Sequence, residues 1–282
     1  MSKGKELRKA MSKGMVVAPF VCDGGQALYV EKAGFPAAYM TGFGTAATYG
    51  LPDVGLLTLT EMTDNVRKLA NSADIPIIAD ADTGYGNYSN VMRTVQAYER
   101  AGAGALHLED QVWPKRCGYM PNKQVIPKDE AKSKIMAAVD ARQDSDFIII
   151  ARTDALAVNG WDDTEDRLRS YVQAGADIVF VDGIRSAEDF KEYRRRLGDF
   201  PILFNNVPLL PIGLVNELGG AAIMIHPGPW ICSGKVFGEE LQRLKREGIV
   251  SVENPFDYFL KAVDELGAEK YFRLDSHYKD LI

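Results

Sequence analysis

The chain has 282 residues, 46% hydrophobic and 26% charged, with a formal net charge of −6. That acidic balance, without a Lys/Arg-rich block, argues against nucleic acid or an anionic membrane as a partner. No apolar stretch approaches the roughly 18 residues that span a bilayer. The basic start, residues 1–15, lacks the apolar core of a secretory signal, and an amphipathic transit peptide stays open. The three cysteines, Cys22, Cys117 and Cys232, are far apart and odd in number. They form neither a disulfide framework nor a zinc pattern, which points to a reducing cytoplasm.

Short apolar, β-rich runs begin near Met15, Ala37, Pro76, Ala105, Phe147, Asp177, Pro201 and Ala221. Amphipathic stretches such as 90–100 and 163–173 lie between them, so a parallel sheet covered by helices is expected. Lys32-Ala33-Gly34, Ala101-Gly102-Ala103 and Ala174-Gly175-Ala176 each read as a helix C-cap followed by a tight αβ turn, with Leu218-Gly219-Gly220 a looser copy. Eight such strands read as an α/β fold of the (β/α)8 TIM barrel type, one domain over 1–282. The rival is an open doubly wound sheet. It calls for a G-x-G-x-x-G after the first strand, where this chain has only Asp23-Gly24-Gly25. Two stretches stand outside the repeat. The polar segment 111–127 is too long for an ordinary βα turn and reads as an active-site lid. After Gly248 two extra helical patterns form a C-terminal tail, 249–282.

In a barrel the C-terminal strand ends build the site. Asp80 and Asp82 share one strand face, as do His107 and Glu109. Arg152 closes the fifth apolar run, and Asp182, Asn205 and His226 end the next three. Asp80, Asp82 and Glu109 together would repel one another unless a cation neutralised them. With no thiolate or imidazole pair beside them they suit Mg2+ or Mn2+. Any one aspartate there serves equally well as a helix cap. Cys117 sits in Lys115-Arg116-Cys117-Gly118, where two adjacent cations are expected to lower its pKa toward neutrality for acid–base work. A passive loop cysteine fits the same context. The run Arg194-Arg195-Arg196 reads as a solvated helix face.

These residues resemble the isocitrate lyase/phosphoenolpyruvate mutase superfamily. The likeness is to its short-chain branch of methylisocitrate lyases, dimethylmalate lyases, oxaloacetate-cleaving enzymes and phosphonomutases. It rests on Tyr39-Met40-Thr41-Gly42, Gly50-Leu51-Pro52-Asp53-Val54-Gly55 and Asp80-Ala81-Asp82-Thr83-Gly84-Tyr85-Gly86. His107-Leu108-Glu109-Asp110-Gln111, Pro114-Lys115-Arg116-Cys117-Gly118 and Ile150-Ala151-Arg152-Thr153-Asp154 follow in the family's order. The resemblance implies Asp80 as the main Mg2+ ligand, with Asp53, Asp82 and Glu109 acting partly through water. It implies Thr41, Gly42 and Phe43 as backbone donors to a substrate carboxylate, and Arg152 and Asn205 as anion ligands. His107, Lys115, Arg116 and Gly118 join them around the substrate. Tyr39 would lie near the reacting hydroxyl as a candidate base, and Cys117 would be the general acid. It also implies C-terminal helices swapped between subunits of a homotetramer.

Three departures bear on the substrate. Tyr119 replaces the usual histidine of the lid motif, Asp182 stands where lyases have glutamate, and Asn206-Val207-Pro208-Leu209-Leu210 follows Asn205. They imply a smaller or more apolar acid than methylisocitrate. The expected activity is Mg2+-dependent carbon–carbon cleavage of a 2-hydroxy di- or tricarboxylate. A phosphonomutase, a phosphonopyruvate hydrolase, or an oxaloacetate hydrolase or decarboxylase are the alternatives.

Overall fold

The computed structural model describes residues 1–279. Its eight strands are β1 (Val16–Val21), β2 (Ala38–Met40), β3 (Ile77–Asp80), β4 (Ala105–Glu109), β5 (Ile148–Thr153), β6 (Ile178–Val181), β7 (Ile202–Asn205) and β8 (Ile223–His226). All pair in parallel and in chain order, and β8 returns to β1 with Val16 opposite Ile223. The barrel expected from the sequence is therefore closed. Alternation along each strand sorts the core into two shells. Ile148, Ile150, Ile178, Phe180, Leu203 and Ile223 fill the barrel interior. Ile149, Val179, Phe204 and Met224 instead face the helices.

The helices are α1 (Lys3–Met11), α2 (Gly24–Lys32), α3 (Gly42–Thr48), α4 (Leu59–Ser72), α5 (Tyr88–Ala101), α6 (Lys128–Ala141) and α7 (Leu156–Asn159). They continue with α8 (Trp161–Gln173), α9 (Ala187–Leu197), α10 (Ile212–Glu217), α11 (Gly228–Glu247), α12 (Pro255–Glu265) and α13 (Ala268–Lys279). Capping boxes start α4 and α5, through Thr58 with Glu61 and Asn87 with Asn90. Gly102 ends α5 at φ +100°, as its place before a strand required.

Helix α1 corrects the reading of the basic start. Leu7 is fully buried with the residues of the barrel interior. Arg8 pairs with Asp177 at 2.7 Å and donates from Nε to the Asp146 carbonyl. Gly4 lies so close that a Cβ there would meet the Asp146 carbonyl oxygen at 2.4 Å. The segment thus closes the barrel at the end where strands begin.

The chain divides into two compact units, Met1–Trp230 and Ile231 onward. The second unit opens within α11, and its α12 and α13 occupy the two helical patterns read after Gly248. Among the described residues no helix is long and apolar enough to cross a membrane. All three cysteines are free.

Candidate active site

Asp80 ends β3 with both carboxylate oxygens engaged. Oδ1 accepts from the Asp82 N–H at 3.0 Å and Oδ2 from the Gly42 N–H at 3.1 Å. A Cβ on Gly42 would stand 2.6 Å from Oδ2, so this close approach requires glycine. The chain then turns through Asp82 and Tyr85, both left-handed at φ +46° and +59°. Such conformations cost of order 1–3 kcal/mol each and gather at functional sites. Tyr98 Oη steadies the turn by donating to the Asp80 carbonyl at 3.0 Å.

Around Asp80 lie Asp53, Asp82 and Glu109, all with little or no exposed side chain. Lys115 Nζ contacts Asp53 and reaches Asp82 Oδ1 at 2.8 Å. Burial, reinforced by Asp80 and Asp53 and opposed by Lys115, raises the Asp82 carboxyl to about 6. Burial likewise lifts Glu109 well above the ordinary carboxylate range. Neither Glu109 oxygen has a hydrogen-bond partner, and Asp82 Oδ1 also lacks one of proper geometry. Arg152 Nη2, 3.2 Å from Glu109 Oε2, supplies charge without alignment. Buried oxygens short of partners form the donor set a hard divalent cation takes. Among the described residues no three such groups converge tightly enough to cage an ion alone. A divalent ion held here would need water or substrate oxygens to complete its shell, as Mg2+ commonly does.

Beside the carboxylates, Tyr39 Oη lies 2.8 Å from His107 Nε2, and His107 Nε2 lies 3.7 Å from Asp80 Oδ1. Burial, opposed by Asp80, lowers the imidazole to about 4, so His107 is neutral at pH 7. Burial and the neighbouring Asp80 raise Tyr39 well above the phenol range. Tyr39 therefore stays protonated, which corrects its expected role as a simple base.

Arg152 closes β5 with a bidentate contact to Asp154, Nε to Oδ2 at 2.9 Å and Nη2 to Oδ1 at 3.1 Å. Asp182 Oδ1 is 3.5 Å from Nη2, and the guanidinium lies over Phe180. Asp110 fixes this strand end from behind. It accepts from the Asp154 N–H, Thr153 Oγ1, Tyr171 Oη and Arg167 Nη1. Asp110 and Asp154 are visible in the sequence only inside motifs, and Lys123 stands in a polar loop whose pattern marks nothing.

The 111–127 segment lies down over these strand ends. Gln111 bridges Val125, and the Cys117 N–H donates to the Asp53 carbonyl at 3.0 Å. Gly118 rests on Asp182, where a Cβ would be 1.9 Å from Oδ2. The expectation for Cys117 is corrected. Burial and Asp53 raise its thiol above the ordinary range, outweighing a backbone contact at Tyr119 and the cations Arg152 and Lys115. Lys115 is engaged by Asp53 and Asp82. Arg116 is exposed, with its guanidinium near the Pro121 carbonyl, not at the site.

Two of the three backbone donors expected to cradle a carboxylate are engaged within the chain. The Gly42 N–H serves Asp80 and the Thr41 N–H reaches the Val21 carbonyl at 3.4 Å, while exposed Phe43 packs edge-on against Trp230. Asn205 keeps a buried Oδ1 without a partner at the end of β7. Asn206 is tied to Leu210, and His226 Nδ1 accepts the Gly228 N–H.

The profile of the phosphoenolpyruvate phosphomutase family matches residues 7–243. The chain belongs to this family. A 2,3-dimethylmalate lyase of Eubacterium barkeri is 38% identical over 99% of this chain and 99% of its own. A 2-methylisocitrate lyase of Salmonella typhimurium is 40% identical over 80% of this chain and 79% of its own. Oxaloacetate acetylhydrolase bound to 3,3-difluorooxalacetate superposes with a TM-score of 0.91 at 35% identity, covering 99% of this chain and 97% of that one. Phosphonopyruvate hydrolase, in complex with oxalate and Mg2+, gives 0.85 at 28% identity, covering 97% and 98%. The superfamily read from the motifs is thus borne out, as a fold and as a class of enzymes.

Proposed function

We propose that the chain is a Mg2+-dependent (or Mn2+-dependent) lyase. It cleaves a 2-hydroxy di- or tricarboxylate of the 2-alkylmalate or methylisocitrate kind into an α-keto acid and a carboxylate. The observation that carries this reading is the buried, oxygen-only set of Asp80, Asp82 and Glu109 beside Arg152. Asp80 would hold the ion, with Asp53, Asp82 and Glu109 assisting through water. When bound, the ion serves as Lewis acid and template for the substrate's carboxylate and hydroxyl.

The chain's own groups do the rest. Tyr39 Oη passes its proton to His107 Nε2 as it takes the one on the substrate hydroxyl, and Asp80 stabilises the imidazolium so formed. The carbon–carbon bond then breaks in the retro-aldol sense. Arg152 and Asn205 face the anion left on the departing carboxylate. Cys117 Sγ–H, kept protonated by burial, gives its proton to that carbon. The seated 111–127 segment excludes water from the carbanion. A cytoplasmic location fits the free cysteines.

An oxaloacetate hydrolase or decarboxylase is the second reading, favoured by the high similarity to oxaloacetate acetylhydrolase. A phosphonopyruvate hydrolase or phosphonomutase is the third. Turnover of 2-alkylmalates, methylisocitrate, oxaloacetate and phosphonopyruvate, each with Mg2+, separates them. The lyase reading expects the hydroxy acids to lead, with activity lost on chelation and in Asp80→Ala. Turnover confined to oxaloacetate or phosphonopyruvate would replace it.

A further inference from the structure

The 111–127 segment brings a second lysine to the barrel mouth. Lys123 Nζ lies 2.7 Å from Asp154 Oδ1 and 3.3 Å from Asp182 Oδ2, with its side chain 2% exposed. The two carboxylates follow β5 and β6, whereas the lysine belongs to the segment that covers them. Arg152 holds the same two carboxylates. Its contacts with Asp154, Asp182 and Glu109 all run through Nε and Nη2.

We propose that Lys123 is a positioning residue, coupling the seating of the segment to the capacity of Arg152 to bind an anion. With the segment lifted, Arg152 alone faces Asp154 and Asp182, with Glu109 beside it. An anionic ligand then meets a quadrant of net negative charge. With the segment seated, the Lys123 ammonium offsets one of the two carboxylate charges, so Asp154 and Asp182 no longer outweigh the guanidinium and an anion meets less repulsion. With the segment seated Asp154 is ionised, because Arg152 and Lys123 overcome its burial and hold it at about 2. The cluster is buried, so these charges are screened less than they would be at the surface. Gly118 makes the register specific, since its backbone rests on the same Asp182 carboxylate. The segment thus meets Asp182 twice, by close backbone approach and by charge.

The proposal rests on the lyase reading for the identity of the anion, and its test is independent of turnover. Oxalate binding to the full chain with Mg2+ is measured by calorimetry, alongside limited proteolysis of the 111–127 segment. Lys123→Met should weaken oxalate about tenfold or more, the scale of a lost close charge pair. It should also remove the protection that Mg2+ plus oxalate gives the segment, and Lys123→Arg should restore both. Adding Asp182→Asn to Lys123→Met should recover most of the oxalate affinity, because the charge that Lys123 offsets is gone. A purely steric role predicts no such recovery. The double variant also relieves the uncompensated buried carboxylate, so it carries the test if the single variant fails to fold. Native oxalate affinity in Lys123→Met, or a double variant weakened about tenfold, would overturn the proposal. Failure to turn over any hydroxy acid, with this oxalate pattern intact, would instead overturn the lyase reading alone.

Discussion

A neutral imidazole sealed inside the barrel ties stability to pH. His107 titrates near 4 in the fold against 6.5 in the unfolded chain. Its contribution is complete above pH 6.5. As pH falls from 6.5 toward 4 the unfolded chain takes the proton first, and stability is lost by roughly 3 kcal/mol at most. Asp154, held at about 2, loses its contribution lower, as pH falls from 3.8 to 2. Asp82, raised to about 6, works in the opposite sense between 6 and 3.8. The difference between wild type and His107→Gln removes that Asp82 background. Thermal unfolding from pH 7 to 4 should show a clearly shallower acid loss in the variant, and parallel curves would refute the assignment. Cys117 gives a kinetic counterpart. A general acid must carry its proton, and burial keeps this thiol protonated beyond the ordinary value of 9.0. The alkaline limb of kcat should therefore lie above pH 9.0. Cys117→Ser should lower kcat roughly a hundredfold with KM nearly unchanged. Near-native turnover in that variant would leave Cys117 a passive loop residue.

At the scale of elements, the strands were legible and the contacts that arm the site were not. Runs such as Ile148-Ile149-Ile150 declare a strand buried on both faces, and polar residues interrupting them declare its C-terminal end. The same alternation brought Asp80 with Asp82 and His107 with Glu109. Helix α1 escaped notice because Leu7 is its only large fully buried side chain, and one apolar residue makes no period. Lys123 and the outward turn of Arg116 depend on how a loop folds back, which spacing does not encode. The direction of the Cys117 shift is hidden for a related reason, since Lys115 is already paired with Asp53 and Asp82 and Arg116 turns to solvent, while burial dominates. The loop's seating yields its own prediction. Gly118→Ala sets a methyl group against Asp182, which Arg152 and Lys123 hold in place. The variant should fold with wild-type stability yet leave 111–127 open to protease even with Mg2+ and oxalate. Wild-type protection in Gly118→Ala would mean that the loop does not seat on Asp182.

At the scale of the whole molecule the barrel has two differently built ends. Leu7 and Arg8 fasten α1 across one of them, and that end carries stability. The other gathers six carboxylates, Asp53, Asp80, Asp82, Glu109, Asp154 and Asp182, around Lys115, Lys123 and Arg152. Carboxylates outnumber cationic side chains there, an imbalance that a bound divalent ion would offset. The second unit poses a separate question. On α12, Phe256, Phe259, Leu260 and Val263 recur at helical spacing, with exposures of 79%, 67%, 70% and 46%. Aromatic and aliphatic side chains of α13, among them Tyr271 and Phe272, are also exposed. Monomeric proteins rarely leave a contiguous apolar stripe of this kind in water, and such stripes commonly serve association. The chain should therefore assemble with copies of itself through this unit, a homotetramer being the expected form. Sedimentation velocity at micromolar concentration should show the oligomer. Paired Phe259→Asp and Leu260→Asp substitutions should shift it to smaller species while circular dichroism reports an intact barrel. A wild-type chain that sediments as a monomer would refute self-association, and an unchanged oligomer in the paired variant would move the interface off α12.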